Sequence, residues 1–199
     1  MLALAGFAVL AVAFEREPLS SVDADAAEWV ATSLPTTLEY AARPFSWAGG
    51  WIGVTLLTVV AVAFLARERN WFDVSFVLVA VLGSQLAVLV LKAWFDRPRP
   101  DAGSAVPLPE SAAFPSGHAA SGAAVVGAFT ILLAERIAGQ RARTHLWIGA
   151  AIVGVAVGLS RIALNVHYVT DVIAGWCLGL VWLAGCLLIN DRIRARTAS

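Results

Sequence analysis

Long uninterrupted apolar runs constrain this chain more than any other feature of its sequence. Residues 46–66, 71 or 72 to 91, 115–134, 146–163 and 169–189 each approach the length of about 20 residues that a helix needs to cross a bilayer. Composition agrees: of 199 residues, 59% are hydrophobic and 14% charged, against roughly 45–50% and about 25% in a soluble domain. A chain of this length holds at most about nine spans and, with loops, five or six. Residues 1–199 are therefore expected to form one membrane domain, an all-α polytopic bundle of about six transmembrane helices. The formal net charge of zero argues against a basic nucleic-acid binder. Cys177 and Cys186 lie nine apart in one apolar run, on different faces of a helix, and fit neither a disulfide nor a metal motif.

The first apolar stretch, 1–14, is short for a span. Ala11-Val12-Ala13 resembles a small-residue cleavage site, but no positive charge precedes the run. A start placed too far downstream or a short helix continuing past Glu15 also accounts for it, and a short or truncated first span is the reading adopted. The segment from there to Pro44 carries acids together with Trp29, Pro35 and Tyr40, and reads as an interfacial helix or loop.

Charge asymmetry sets the orientation. Alternating the loops places Arg67, Arg69, Arg136, Arg141, Arg143, Arg192, Arg194 and Arg196 on one side, eight of the fourteen basic residues. That side is expected to be cytoplasmic. The opposite side carries the other six bases and ten of the fourteen acids, and so faces outward. Residues 192–199 read as a short basic tail.

Three polar clusters fall at the outward ends of the spans. Lys92, the only lysine, stands with Arg97 and Arg99 at the exit of the third span, where Pro100 biases Arg99 out of helical geometry. Taken alone, these three also suit snorkelling anchors at a helix end. Pro115, Ser116, Gly117 and His118 open the fourth span, where the backbone N–H groups of Ser116, Gly117 and His118 could surround an anion or simply cap a helix. Ser160, Arg161, His167 and Asp171 surround the turn between the last two spans. If the sixth helix starts near His167, the i, i+4 spacing brings Asp171 to its ring, fixing the tautomer and leaving the other nitrogen free to attack.

Together these clusters supply the requirements of phosphoryl transfer. Lys92, Arg99 and Arg161 provide fixed cations for a doubly charged phosphate, and helix-terminal N–H groups add to them. Two histidines in different surroundings divide the proton chemistry, since His167 has a carboxylate partner and His118 does not. No cage of carboxylates for magnesium and no zinc cluster accompanies them, so the site is expected to need no metal and no cofactor.

Lys92, Arg99 and Pro100 match Lys-x6-Arg-Pro, residues 115–118 read Pro-Ser-Gly-His, and residues 160–171 match Ser-Arg-x5-His-x3-Asp. In this order the three motifs, within a signature region of 92–171, resemble the type 2 phosphatidic acid phosphatase superfamily. That superfamily holds integral-membrane lipid phosphatases, soluble acid phosphatases and vanadium haloperoxidases. The resemblance implies that His167 is the nucleophile forming a phosphohistidine, Asp171 its orienting partner, and His118 the acid for the leaving group and then the base for water. It implies that Lys92, Arg99, Ser116, Gly117, Arg161 and Ser160 hold the phosphate, on the outward face of about six spans. The substrates it suggests are phosphatidate, phosphatidylglycerol phosphate and polyprenyl diphosphates, with membrane lipids as surroundings. A vanadate-dependent haloperoxidase is the rival in chemistry, and the spans and small size count against it. A non-catalytic lipid-binding membrane protein is the rival in class, and binding alone requires neither a nucleophile nor its aspartate.

Overall fold

A computed structural model describes residues 1–101 and 103–197. Its described residues form eight helices: α1 Leu2–Ala13, α2 Leu19–Ser33, α3 Thr36–Gly49, α4 Trp51–Arg67, α5 Trp71–Phe95, α6 Gly117–Arg136, α7 Gln140–Ala163 and α8 Val169–Thr197. The expected all-α membrane architecture is present. Four helices, α5 to α8, are long and apolar enough to cross a bilayer, and α3 with α4 makes a fifth span bent by 46°. By length and composition the described residues thus hold up to five such spans, and the first stretch forms α1, a 12-residue apolar helix about 18 Å long against a hydrocarbon core of about 30 Å.

Several boundaries differ from the sequence reading. The second span does not begin at Ser46. Helix α3 already carries the chain from Thr36 through Pro44, and the break comes at Gly50, whose extended backbone (ψ 171°) interrupts the helix. Helix α5 starts at Asn70, which accepts the Asp73 N–H at 3.2 Å while its amide donates to the Asp73 carboxylate at 2.7 Å. It ends at Asp96 in the left-handed conformation (φ 43°), which the short polar side chain of aspartate tolerates. The tail is not separate either, because α8 continues through Arg192, Arg194 and Arg196 to Thr197.

The bundle has two apolar surfaces. On α5, Val77, Ala80, Val81, Ser84 and Val88 repeat at helical spacing and are buried, while Leu82, Leu86 and Leu89 are each more than 60% exposed on the other face. Those exposed leucines are where lipid replaces protein as the neighbour. Inside, Val54 and Leu65 of α4, Val77 and Val81 of α5, Val125 and Ala128 of α6 and Leu183 of α8 make one continuous core.

Helices α6 and α8 approach closely enough to exclude side chains between them. A Cβ on Gly175 would lie 2.5 Å from the Ser116 carbonyl oxygen, and one on Gly179 would lie 2.4 Å from that of Ala120. This small-xxx-small contact sets the start of α8 against the start of α6. The backbone N–H of Ser116 then donates to the Asp171 carbonyl at 2.9 Å. Two of the three motifs are thereby joined by backbone alone. A second packing unit braces the same end, with Phe14 stacked on Phe114 at 4.6 Å and Phe95 edge-on to Phe114 at 5.0 Å.

Candidate active site

All three polar clusters meet at one end of the bundle, formed by the end of α5, the 96–116 loop, the start of α6, the end of α7 and the turn into α8. The opposite end holds Arg136 and Arg194, which pair with Asp73 at 3.6 and 2.6 Å.

His167 is 3% exposed and lies between Arg99 and Asp171. Arg99 Nη1 is 3.1 Å from its Nε2, and Asp171 Oδ2 is 3.3 Å from its Nδ1. A guanidinium only donates, so Nε2 accepts and the ring proton sits on Nδ1, facing the carboxylate. The sequence spacing suggested this pair, but through a helix beginning at His167. Helix α8 begins instead at Val169. Asp171 is its third residue and reaches back to accept the Tyr168 N–H at 2.9 Å, the acceptor half of a capping box. The same oxygen thereby meets His167 in the preceding turn. Burial, with Arg99, Lys92 and Arg161 adding positive charge, holds the His167 pKa well below its ordinary value.

The cations divide into two kinds. Arg97, grouped by sequence with Lys92 and Arg99, is 7% exposed and committed to carboxylates. Its Nη1 donates to Asp171 Oδ1 at 2.6 Å and its Nη2 to Asp23 Oδ2 at 2.8 Å. Phe14 and Tyr168 sandwich its guanidinium at 4.7 and 4.2 Å. The snorkelling reading fails for this residue, because its charge is buried and paired.

Lys92, Arg99 and Arg161 have neutral partners. Lys92 donates to the Ala112 and Ala113 carbonyls, and Arg99 to those of Pro109 (3.1 Å), Ser111 (2.9 Å) and Val166 (2.6 Å). Arg161 donates to Ser46 Oγ, while its Nε is buried without a partner. Among the described residues none of the three forms a salt bridge to a carboxylate, so their charge remains available to an anion.

The Ser-Gly-His segment behaves partly as expected. The Ser116 N–H is spent on Asp171, so those of Gly117, His118 and Ala119 remain as first-turn donors without an intrahelical acceptor. The Ser116 hydroxyl is fully buried and unpartnered, a second orphaned polar atom beside Arg161 Nε. Ser160 donates to the Val157 carbonyl of its own helix at 2.7 Å. His118 is half-buried and borders Gly50, where an added Cβ would lie 3.3 Å from its Nε2. Among the described residues no group of three His, Cys, Asp or Glu side chains converges to hold a metal.

A family model described as the PAP2 superfamily matches residues 73–195. The chain belongs to the PAP2 superfamily. Phosphatidylglycerophosphatase B of Bacillus subtilis is 32% identical over 127 residues, 63% of this chain and 62% of that protein. An undecaprenyl-diphosphatase of Sulfolobus acidocaldarius is 40% identical over 73 residues, 37% of this chain and 31% of the relative. The matched stretch thus spans less than two thirds of either relative. The crystal structure of a transmembrane PAP2 type phosphatidylglycerolphosphate phosphatase from Bacillus subtilis superposes with a TM-score of 0.89 at 27% identity, covering 96% of this chain and 95% of that one.

The PAP2 match begins in α5, and several residues that shape the site precede it. Asp23 of α2 is 1% exposed, accepts from Arg97, and also accepts from the Thr170 N–H at 3.1 Å and from the Thr170 hydroxyl. An acid from α2 therefore satisfies a first-turn donor of α8, where the helix dipole favours negative charge. Ser46 of α3 holds Arg161. Asn165, which lies within the matched stretch at φ 51° in the turn, donates to the carbonyls of Ala27 (3.2 Å) and Gly103 (2.8 Å). Sequence reasoning passed over all three, and the partners of each lie more than 60 residues away, so no local spacing marked them.

Proposed function

We propose that this PAP2 chain is a lipid phosphatase that removes a terminal phosphate through a phosphohistidine, without a metal ion. The observation that carries this reading is the His167 ring, with its proton directed to Asp171 and its other nitrogen 3.1 Å from Arg99, one of three cations that lack carboxylate partners and act on the ring by their charge. His167 Nε2 attacks phosphorus, and the equatorial oxygens take their hydrogen bonds from Lys92, Arg99 and Arg161, with the Gly117 and His118 N–H groups and the Ser116 hydroxyl. Protonated His118 gives its proton to the departing oxygen as that bond breaks. The now neutral His118 takes a proton from water, which attacks the phosphohistidine and releases inorganic phosphate and free His167. Asp171 stabilises the positive ring during the covalent stage.

A phosphate at headgroup level with a tail in lipid suits a pocket at the end of a membrane bundle. Phosphatidylglycerol phosphate, phosphatidate and polyprenyl diphosphates all meet that description, and the names of two relatives support the first and last. The site is assigned to the extracytoplasmic face, because it lies opposite the arginine-rich end. The test is phosphate release by the purified protein in detergent from those three lipids, with and without excess chelator. Release that persists under chelation and disappears in His167→Asn is expected. Release that chelator abolishes and magnesium restores overturns the metal-independent mechanism.

A further inference from the structure

The proposed chemistry leaves one side of the site unassigned. In-line displacement puts the attacking and leaving atoms on opposite faces of phosphorus. With His167 attacking and His118 protonating, the leaving group extends past His118. A cleft of about 310 Å³ opens there, with His118 in its wall beside Ser46, Trp47, Trp51 and Arg43. Ser46 is the residue that holds Arg161, so this wall continues directly from the phosphate site. The larger apolar cleft between α4, α6 and α7, about 660 Å³, touches none of the site residues.

Among the described residues, Arg43 is the one arginine, lysine, aspartate or glutamate that lines the smaller cleft. It precedes Ser46 and Trp47 by three and four residues on α3, which puts it one turn along the same helix face. Its Nη2 reaches only the Ala105 carbonyl, at 3.4 Å, and its guanidinium lies 4.6 Å above the Tyr40 ring. Neither partner neutralises it, and among the described residues no carboxylate comes within salt-bridge distance. Lys92, Arg99 and Arg161 already surround the transferred phosphate, so a fourth unpaired cation beyond the acid has no role toward that group. It suits an anion carried by the leaving group.

Resting on the phosphatase reading, we propose that Arg43 and this cleft form a leaving-group subsite for a second phosphate. Substrates whose departing portion is itself a phosphate ester would use it, and phosphatidate, whose departing diacylglycerol is neutral, would not. A guanidinium recognises such a phosphate by charge-assisted hydrogen bonds. Trp47 and Trp51 provide amphipathic surface where the lipid portion leaves the headgroup zone.

The experiment measures kcat/KM for phosphatidylglycerol phosphate, a polyprenyl diphosphate and phosphatidate in the wild type, Arg43→Gln and Arg43→Lys. The ratio of at least one two-phosphate substrate to phosphatidate is expected to fall about threefold or more in Arg43→Gln. The substrate whose ratio falls identifies the source, a glycerol-spaced phosphodiester or a directly joined diphosphate. Arg43→Lys keeps the charge and most of the stem, and is expected to retain most of the ratio. A smaller fall for both substrates in Arg43→Gln, or a fall in Arg43→Lys as large as in Arg43→Gln, overturns the subsite while leaving the phosphatase reading intact. A wild-type protein that releases phosphate from none of the three overturns both.

Discussion

His167 shows how much of this site depends on one ring being held neutral and aimed. Attack requires its unprotonated nitrogen, and burial together with Arg99, Lys92 and Arg161 keeps the ring pKa well below the ordinary histidine value. The acid limb of kcat/KM that belongs to the nucleophile is therefore expected well below pH 6.5. Arg99→Gln removes the largest of the three charge effects, so the pKa rises and that limb moves to higher pH, in addition to a fall in rate. A pH profile of both proteins checks this, and a limb that stays in place or moves to lower pH contradicts it. The carboxylate partner is aimed in turn by Arg97, which shares its fork between Asp171 and Asp23. Asp23→Asn leaves a buried guanidinium half-paired, a kind of change that costs roughly 3–5 kcal/mol. It is expected to lower the thermal midpoint in detergent and to reduce kcat about tenfold or more, as expected when an orienting contact loosens. A variant with wild-type midpoint and kcat removes Asp23 from this role.

Helix α6 carries His118 and the start of α8 follows His167 directly, and the separation of the two helices is set by glycines. The near-contact of Gly175 and Gly179 with α6 carbonyls leaves no room for a larger residue without moving backbone. Gly175→Val and Gly179→Val are expected to push the start of α8 from Ser116 and break the 2.9 Å backbone bond between them. Activity should fall by at least about a hundredfold, in line with a displacement near 1 Å at a catalytic constellation. Gly185 on the same helix has open space where a Cβ would go, and Gly185→Ala is expected to leave both activity and thermal midpoint close to wild type. Equal losses at all three positions would show that close approach to α6 does not govern the effect. The bend at Gly50 is the other element-scale feature of the site, because it brings Arg43, Ser46 and Trp47 before the break and Trp51 after it around one cleft beside His118.

Across the whole molecule, charge and chemistry separate to opposite ends. The end with Arg136 and Arg194 pairs these with Asp73 and Glu68, and at the other end Lys92, Arg99 and Arg161 form no salt bridge to a carboxylate among the described residues. The charge bias predicts that the catalytic end faces away from the cytoplasm. Single cysteines at Asp101→Cys and Arg141→Cys, in a background without Cys177 and Cys186, are expected to differ on intact cells. A membrane-impermeant thiol reagent should label position 101 and spare position 141. Labelling at 141 but not at 101 inverts the orientation.

By itself the sequence determined the all-α membrane class, the positions of the four long apolar helices, the order of the motifs and their gathering at one end of the bundle. Those properties are local: the length of an apolar run and a residue's place at its end decide them. Tertiary structure alone decided which face of α5 meets protein, because Val81 and Leu82 are both apolar and a membrane helix loses the contrast that marks a buried stripe. It also decided that Arg97 serves Asp171 while its neighbour Arg99 meets His167. Both arginines read alike in sequence, and what separates them is an aspartate 74 residues away on α2. Such pairings arise when distant helices pack, and nothing in the local spacing of charges encodes them.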